Sequence, residues 1–140
     1  MKILLICSKQ FYSKLAEIKN ILENNGHEVF MPNCYDHPQT EQEMWNIGSK
    51  AHSEFKAKMF KQSYETISYM DAVLVLNYDK EKNGIVYKNY IGGATFLEMY
   101  DAFKLNKKIF MINNIPDGIL SDEIHGFNPI ILNGDVSKIS

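Results

Sequence analysis

A chain of 140 residues is one domain's length, and a domain of that size buries roughly 70% of the surface its unfolded form exposes. Hydrophobic residues make up 45% and charged residues 23%, which argues against an intrinsically disordered chain. The 15 basic residues are all lysine and are set against 17 acidic ones, a formal charge of −2, so the basic footprint of a nucleic-acid binder is lacking. Without arginine, any phosphate must be held by backbone N–H groups, lysines or hydroxyls.

In chain order, Ile3 to Cys7 is a continuous apolar run, as expected of a strand buried on both faces of a parallel sheet. It is far below the ~18 residues of a membrane span and no cleavage site follows it, so the expectation is a soluble, cytoplasmic protein with no membrane partner. The two cysteines, Cys7 and Cys34, are too few for a disulfide scaffold and do not form a metal-ligand spacing. Leu15, Ile18, Ile21 and Leu22 recur at helical spacing, and Gly26 follows as the residue that ends the helix. Glu28 to Met31 reads as a second strand closed by Pro32, and Asn33 to Gln39 as a loop.

Thr40-Glu41-Gln42-Glu43 matches a capping box and predicts a helix reaching towards Ile67, with a kink or break near Gly48-Ser49. Asp71 to Asn77 is a third buried strand, and the charged stretch Tyr78 to Tyr90 reads as a loop. Gly92-Gly93-Ala94-Thr95 leads into a helix through Phe103. Lys107 to Asn113 is a fourth strand, a short helix falls between Pro116 and Gly126, and Asn128 to Leu132 is a fifth strand.

Strands alternating with helices predict a single α/β domain over residues 1–140, doubly wound in the flavodoxin or Rossmann manner, with a five-stranded parallel sheet in the order 2-1-3-4-5. Ligands of such sheets sit beyond the strand C-termini at the switch point, here between strands one and three. The segments delivered there are Cys7 to Phe11, Asn33 to Gln39 and Asn77 to Glu98.

Several tenants of this architecture are excluded on residue grounds. No G-x-x-x-x-G-K-[ST] phosphate loop occurs. A tyrosine phosphatase of this shape needs an arginine closing the loop after Cys7, where Ser13 stands. A receiver domain needs a carboxylate pair after strand one and an aspartate ending strand three, where Cys7-Ser8-Lys9 and Asn77 stand. Ser8-Lys9-Gln10-Phe11-Tyr12 is a poor flavin-phosphate loop, and no cofactor is expected.

The informative segment is Asn89 to Glu98. Two glycines before a helix let the backbone approach a ligand, and the first N–H groups of that helix favour negative charge. Glu98 lies about a turn inside. Its ordinary reading is a glutamate complementing the helix dipole. Its chemical reading is a carboxylate desolvated among aromatic and apolar neighbours, as a nucleophile at an anomeric carbon requires.

The chain resembles the nucleoside 2-deoxyribosyltransferase-like superfamily, which includes the 2′-deoxynucleoside 5′-monophosphate N-glycosidases. The resemblance rests on Leu22 to Val29 before Pro32, Asp71 to Leu76, Gly92-Gly93 leading to Glu98 with Ala102 beyond it, and Lys107 to Phe110. It implies that Glu98 is the nucleophile of deoxyribosyl transfer or N-glycosidic hydrolysis. It further implies a nucleoside or nucleotide as the small-molecule partner, and a homodimer or larger homo-oligomer. The chain departs from the pattern at three places: the family's first loop carries Gly-Pro or Gly-Ser after a tyrosine, where Ile6-Cys7-Ser8-Lys9 stands, and two carboxylates are replaced. The family's helical aspartate, eight residues before Asp71, is Ser63, and the aspartate six residues before the nucleophile is Gly92.

For the general acid the candidates are Asp79, just past strand three, and Asp36 and His37; each is equally read as an ordinary loop residue. Ser8, Lys9, Asn77, Gly92 and Gly93 are candidates for binding phosphate or sugar, and Tyr90 for stacking on a base. Trp45, Phe60 and Tyr64 are candidates for a contact between subunits or for covering the sheet. The alternative function is a nucleotide-binding sensor that keeps the pocket without the chemistry.

Overall fold

A computed structural model describes residues 1–36 and 46–140. Its central sheet contains β1 (Lys2–Ile6), β2 (Glu28–Phe30), β3 (Ala72–Val75), β6 (Lys108–Met111) and β7 (Ile130–Ile131), in the order β2-β1-β3-β6-β7. All four pairings are parallel, with Ile3 opposite both Val29 and Ala72, and Val75 opposite Met111. This is the expected 2-1-3-4-5 arrangement. A short antiparallel hairpin of β4 (Lys80–Lys82) and β5 (Ile85–Tyr87) stands apart from it.

Alternation along each strand feeds two cores. Ile3, Leu5, Ala72, Leu74 and Phe110 pack against helix α1 (Leu15–Asn24) and a C-terminal 3-10 turn (Val136–Lys138). Leu4, Ile6, Val73, Val75 and Met111 face the other way, towards α2 (Lys50–Ser68), α3 (Gly93–Lys104) and α4 (Ser121–Phe127). Burial on both faces is why these strands read as unbroken apolar runs. Helices α1 and α3, which follow β1 and β3 in the chain, lie on opposite faces, so the connections leaving those two strands diverge and open a crevice beyond the sheet's C-terminal edge.

Two expectations change in detail. Helix α2 begins at Lys50, where Ser49 Oγ accepts a hydrogen bond from the His52 N–H at 3.1 Å; the Thr40 capping box and Trp45 lie outside the described residues. Gly48, at φ 89°, breaks the chain just ahead of it, at the expected position. The stretch expected as a loop from Tyr78 to Tyr90 contains the β4–β5 hairpin, whose Asn83 (φ 54°) and Gly84 (φ 75°) both adopt the left-handed backbone of a tight turn.

Candidate active site

A cavity of about 390 Å³ occupies the crevice at the switch point. Ser8 and Lys9 enter it from the loop after β1, Asn33 from the loop after β2, and Lys56, Met59 and Ser63 from one face of α2. Lys80, Tyr90, Gly92 and Gly93 arrive from the connection after β3, and Glu98 from α3. Of the expected site residues, Glu98, Ser8, Lys9, Tyr90, Gly92 and Gly93 are thus brought together; Asp79 and Asn77 are not among the lining residues.

Gly92 caps α3 in extended backbone (φ −80°, ψ 169°) and no side chain caps that end, so the first-turn N–H groups of Gly93, Ala94 and Thr95 are left at the cavity wall. Neither glycine is left-handed. What they supply is room. A Cβ at Gly93 meets nothing within 4 Å, and the atoms nearest one at Gly92 belong to the Tyr90 side chain, its hydroxyl at 3.4 Å.

Glu98 is partly buried, and desolvation pushes its carboxyl up to about 7. The nearby Ser63 hydroxyl and the Lys56 charge pull the other way, while the charge of Asp101, one turn along the helix, adds to the rise. Beside it, Cys7 is pushed up to about 12, chiefly by burial and further by the Glu98 charge, so its thiol stays protonated and unreactive. Glu98 also borders a second cavity of about 390 Å³ between α2 and α3, lined by Phe60, Tyr64, Leu97 and Asp101 among others.

Asp79 is exposed and faces the hairpin. It accepts from Lys88 Nζ at 3.1 Å and from the Asn89 N–H at 2.9 Å, and these bonds hold its carboxyl below the usual range. Such an ionised, committed carboxylate does not fit the expected general-acid role. Asn77 is fully buried and spends its amide on Asn113 and Asn114, tying the end of β3 to the end of β6. Its place beyond the strand is as expected, but its side chain faces that joint. Asp36 is exposed, and His37 lies outside the described residues.

Asn33 opens a segment expected at the switch point but is not itself among the expected site residues; its amide donates to Ser63 Oγ at 2.5 Å and to the Met59 carbonyl at 3.4 Å. Lys80 was also missed; its Nζ sits 4.3 Å from the centre of the Tyr90 ring. Among the described residues no cluster of His, Cys, Asp or Glu could hold a metal ion, and no helix is long and apolar enough to cross a membrane.

No protein-family model matches the sequence, and neither does any curated protein. The fold has solved counterparts. A 2-deoxyribosyltransferase from the psychrotolerant bacterium Bacillus psychrosaccharolyticus superposes with a TM-score of 0.62 at 18% identity, over 100% of this chain and 93% of that one. The CMP N-glycosidase of Clostridium botulinum superposes with a TM-score of 0.53 at 17% identity, over 95% of this chain and 90% of that one. The resemblance read from the sequence is therefore met by the architecture, at low identity.

Proposed function

We propose that this protein acts on the N-glycosidic bond of a nucleoside or nucleotide, with Glu98 as the nucleophile. The observation that carries this reading is the position of Glu98: a desolvated carboxyl at the switch-point cavity, a turn inside a helix whose free N–H groups and neighbouring lysines suit an anionic or hydroxyl-rich ligand. The named activities of the two solved counterparts support the same class.

In the proposed step a Glu98 oxygen attacks C1′ of a deoxyribosyl group while the C1′–N bond breaks and its electron pair leaves with the base. Water or a second base then attacks C1′ from the face the first base vacated, its proton passing to the departed base anion, releasing Glu98 and retaining configuration. Glu98 must be ionised to attack. Among the described lining residues it is the one carboxyl, so charge building on the departing base is met by Lys9, Lys56 and Lys80. Ser8 and the Gly93 N–H contribute to holding the sugar or a phosphate, and Tyr90 offers its ring to the base.

We further propose a homodimer. Phe60 (42% exposed), Tyr64 (47%) and Leu97 (43%) leave an apolar face over α2 and α3 beside Glu98, and a second copy would cover it.

The test is incubation of purified protein with deoxynucleosides and their 5′-monophosphates, with free base measured by chromatography. Release by the wild type and its loss in Glu98→Ala support the reading; equal background release by both overturns it.

A second reading, a nucleotide sensor without turnover, is favoured by Ser63 and Gly92 standing where the resembled family has aspartates, which leaves Glu98 without a carboxyl partner in the cavity. Saturable binding with no base release would select it; a ligand at 100-fold its Kd adds about 2.7 kcal/mol of apparent stability in a thermal shift.

A further inference from the structure

The register of the β4–β5 hairpin pairs Lys82 with Ile85, Glu81 with Val86 and Lys80 with Tyr87. Its two-residue turn, Asn83-Gly84 with positive φ at both, makes Lys82 and Ile85 the pair that exchanges both backbone hydrogen bonds. Antiparallel pairs alternate, so Glu81 and Val86 form the next, non-hydrogen-bonded pair. Their N–H and C=O groups therefore point out of the hairpin, those of Glu81 from the β4 edge and those of Val86 from the β5 edge. Among the described residues no backbone hydrogen bond from outside the hairpin reaches either. The feet of the hairpin are fastened to each other: Asp79 holds Lys88 and the Asn89 N–H, and the Tyr90 N–H donates to the Tyr78 carbonyl at 2.8 Å.

The two edges differ in what guards them. β4 reads Lys80-Glu81-Lys82, and a charged edge strand resists pairing with another chain. β5 reads Ile85-Val86-Tyr87, uncharged, with exposures of 55%, 51% and 44%. A two-fold axis at Val86 makes β5 complementary to itself. Val86 then faces Val86 of the partner subunit and the two exchange both outward hydrogen bonds, while each Ile85 faces a Tyr87. Such β-branched and aromatic cross-strand pairs are favourable, and no like charges meet. The same operation on β4 would set Glu81 against Glu81. Joining β4 of one copy to β5 of the next would lay charged residues along apolar ones and build an open-ended stack.

We propose that β5 pairs with β5 of a second copy, antiparallel about a two-fold axis at Val86, joining the two hairpins into one four-stranded sheet. Two strands alone are marginally stable, and four are not. This contact is separate from the α2–α3 face and does not depend on the reading of Glu98. It reaches the site through the feet of the hairpin, since Lys80 and Tyr90 line the cavity.

The experiment measures particle mass by analytical ultracentrifugation over a range of protein concentrations, and amide hydrogen exchange by NMR in the concentrated sample. The wild type is expected to be a dimer, or a tetramer where the α2–α3 face pairs as well. Val86→Pro deletes the outward donor and no bond to β4, so the hairpin keeps its ladder and the particle mass falls by half. Glu81→Pro makes the same change on the guarded edge and should leave the mass unchanged. Leu97→Lys, on the α2–α3 face, halves a tetramer but not a β5 dimer, so failures of the two contacts are told apart. In the wild type the Val86 amide, relative to its intrinsic rate, should exchange about tenfold more slowly than the Glu81 amide, a readout that stands if Val86→Pro does not fold. A monomer at every concentration, a mass unaffected by Val86→Pro, or Val86 and Glu81 amides that exchange alike overturns the proposal. So does a mass that keeps growing with concentration, the mark of an open stack.

Discussion

Asn77 and Asn113 hold each other by three hydrogen bonds: Asn77 Nδ2 to the Asn113 carbonyl at 3.1 Å, the Asn113 N–H to Asn77 Oδ1 at 3.0 Å, and Asn113 Nδ2 to the Asn77 carbonyl at 3.2 Å. The ends of β3 and β6 are thereby locked just where the chain turns away from the sheet. Asn77→Ala strands the Asn113 N–H and removes a donor from the Asn113 and Asn114 carbonyls. The expected loss is about 2–3 kcal/mol, or roughly 5–10 °C in Tm for a domain of this size, read by urea and thermal unfolding. At a temperature where the variant is folded, its affinity for nucleotide should match the wild type.

The Glu98 carboxyl makes stability fall as pH rises. Its ordinary value is 4.5 and in the fold it is about 7, so between those values the native state keeps a proton that the unfolded chain has released. Stability is then fully present below about pH 4.5, declines through the window and levels off above 7, with a total change of at most about 3 kcal/mol. Glu98→Gln cannot ionise. In urea unfolding it should match the wild type at pH 4 and exceed it by up to that amount at pH 8; an equal difference at both pH values would contradict the assignment.

The same ionisation sets the direction of the activity profile. Base release should climb as pH rises through about 7, because the carboxylate is the attacking form. A rate that falls through this range would instead mark Glu98 as a proton donor.

Tyr90 and Lys80 line the cavity together. Removing the ring in Tyr90→Ala should raise KM by about tenfold with a smaller effect on kcat, the loss expected for one stacked base. Tyr90→Phe keeps the ring under the Lys80 ammonium and should stay near wild type. Steady-state kinetics on both variants checks this.

Asp79 is a fastener of the hairpin. Asp79→Ala should leave base release unchanged and speed hydrogen exchange at the Asn89 amide, which loses its acceptor. Loss of activity with the hairpin intact would return Asp79 to the chemistry.

The sheet was legible because its inner strands are buried on both faces: runs such as Ile3 to Cys7 and Asp71 to Asn77 cannot be anything solvent-facing. The glycine pair and Glu98 were legible because topology sends the connection after β3 to the switch point. The hairpin was overlooked although Asn83-Gly84 is its sign, since the flanking strands are three residues each and, apart from half-buried Lys80, exposed. Asn77 and Asp79 stood at the right end of the sheet, but sequence position does not say which way a side chain turns; one faces the β6 joint and the other the hairpin. The Asn33–Ser63 bond joins residues 30 apart in the chain, a pairing that no local period encodes.

The central claim is that the Glu98 carboxylate bonds to C1′. Its most direct measurement is mass spectrometry of the protein after incubation with a 2-fluoro-substituted deoxynucleoside or its 5′-monophosphate, which slows hydrolysis of a glycosyl-enzyme. The account predicts a glycosyl adduct on the peptide containing Glu98, absent from Glu98→Gln. Base release that proceeds with no adduct and survives in Glu98→Gln would contradict it.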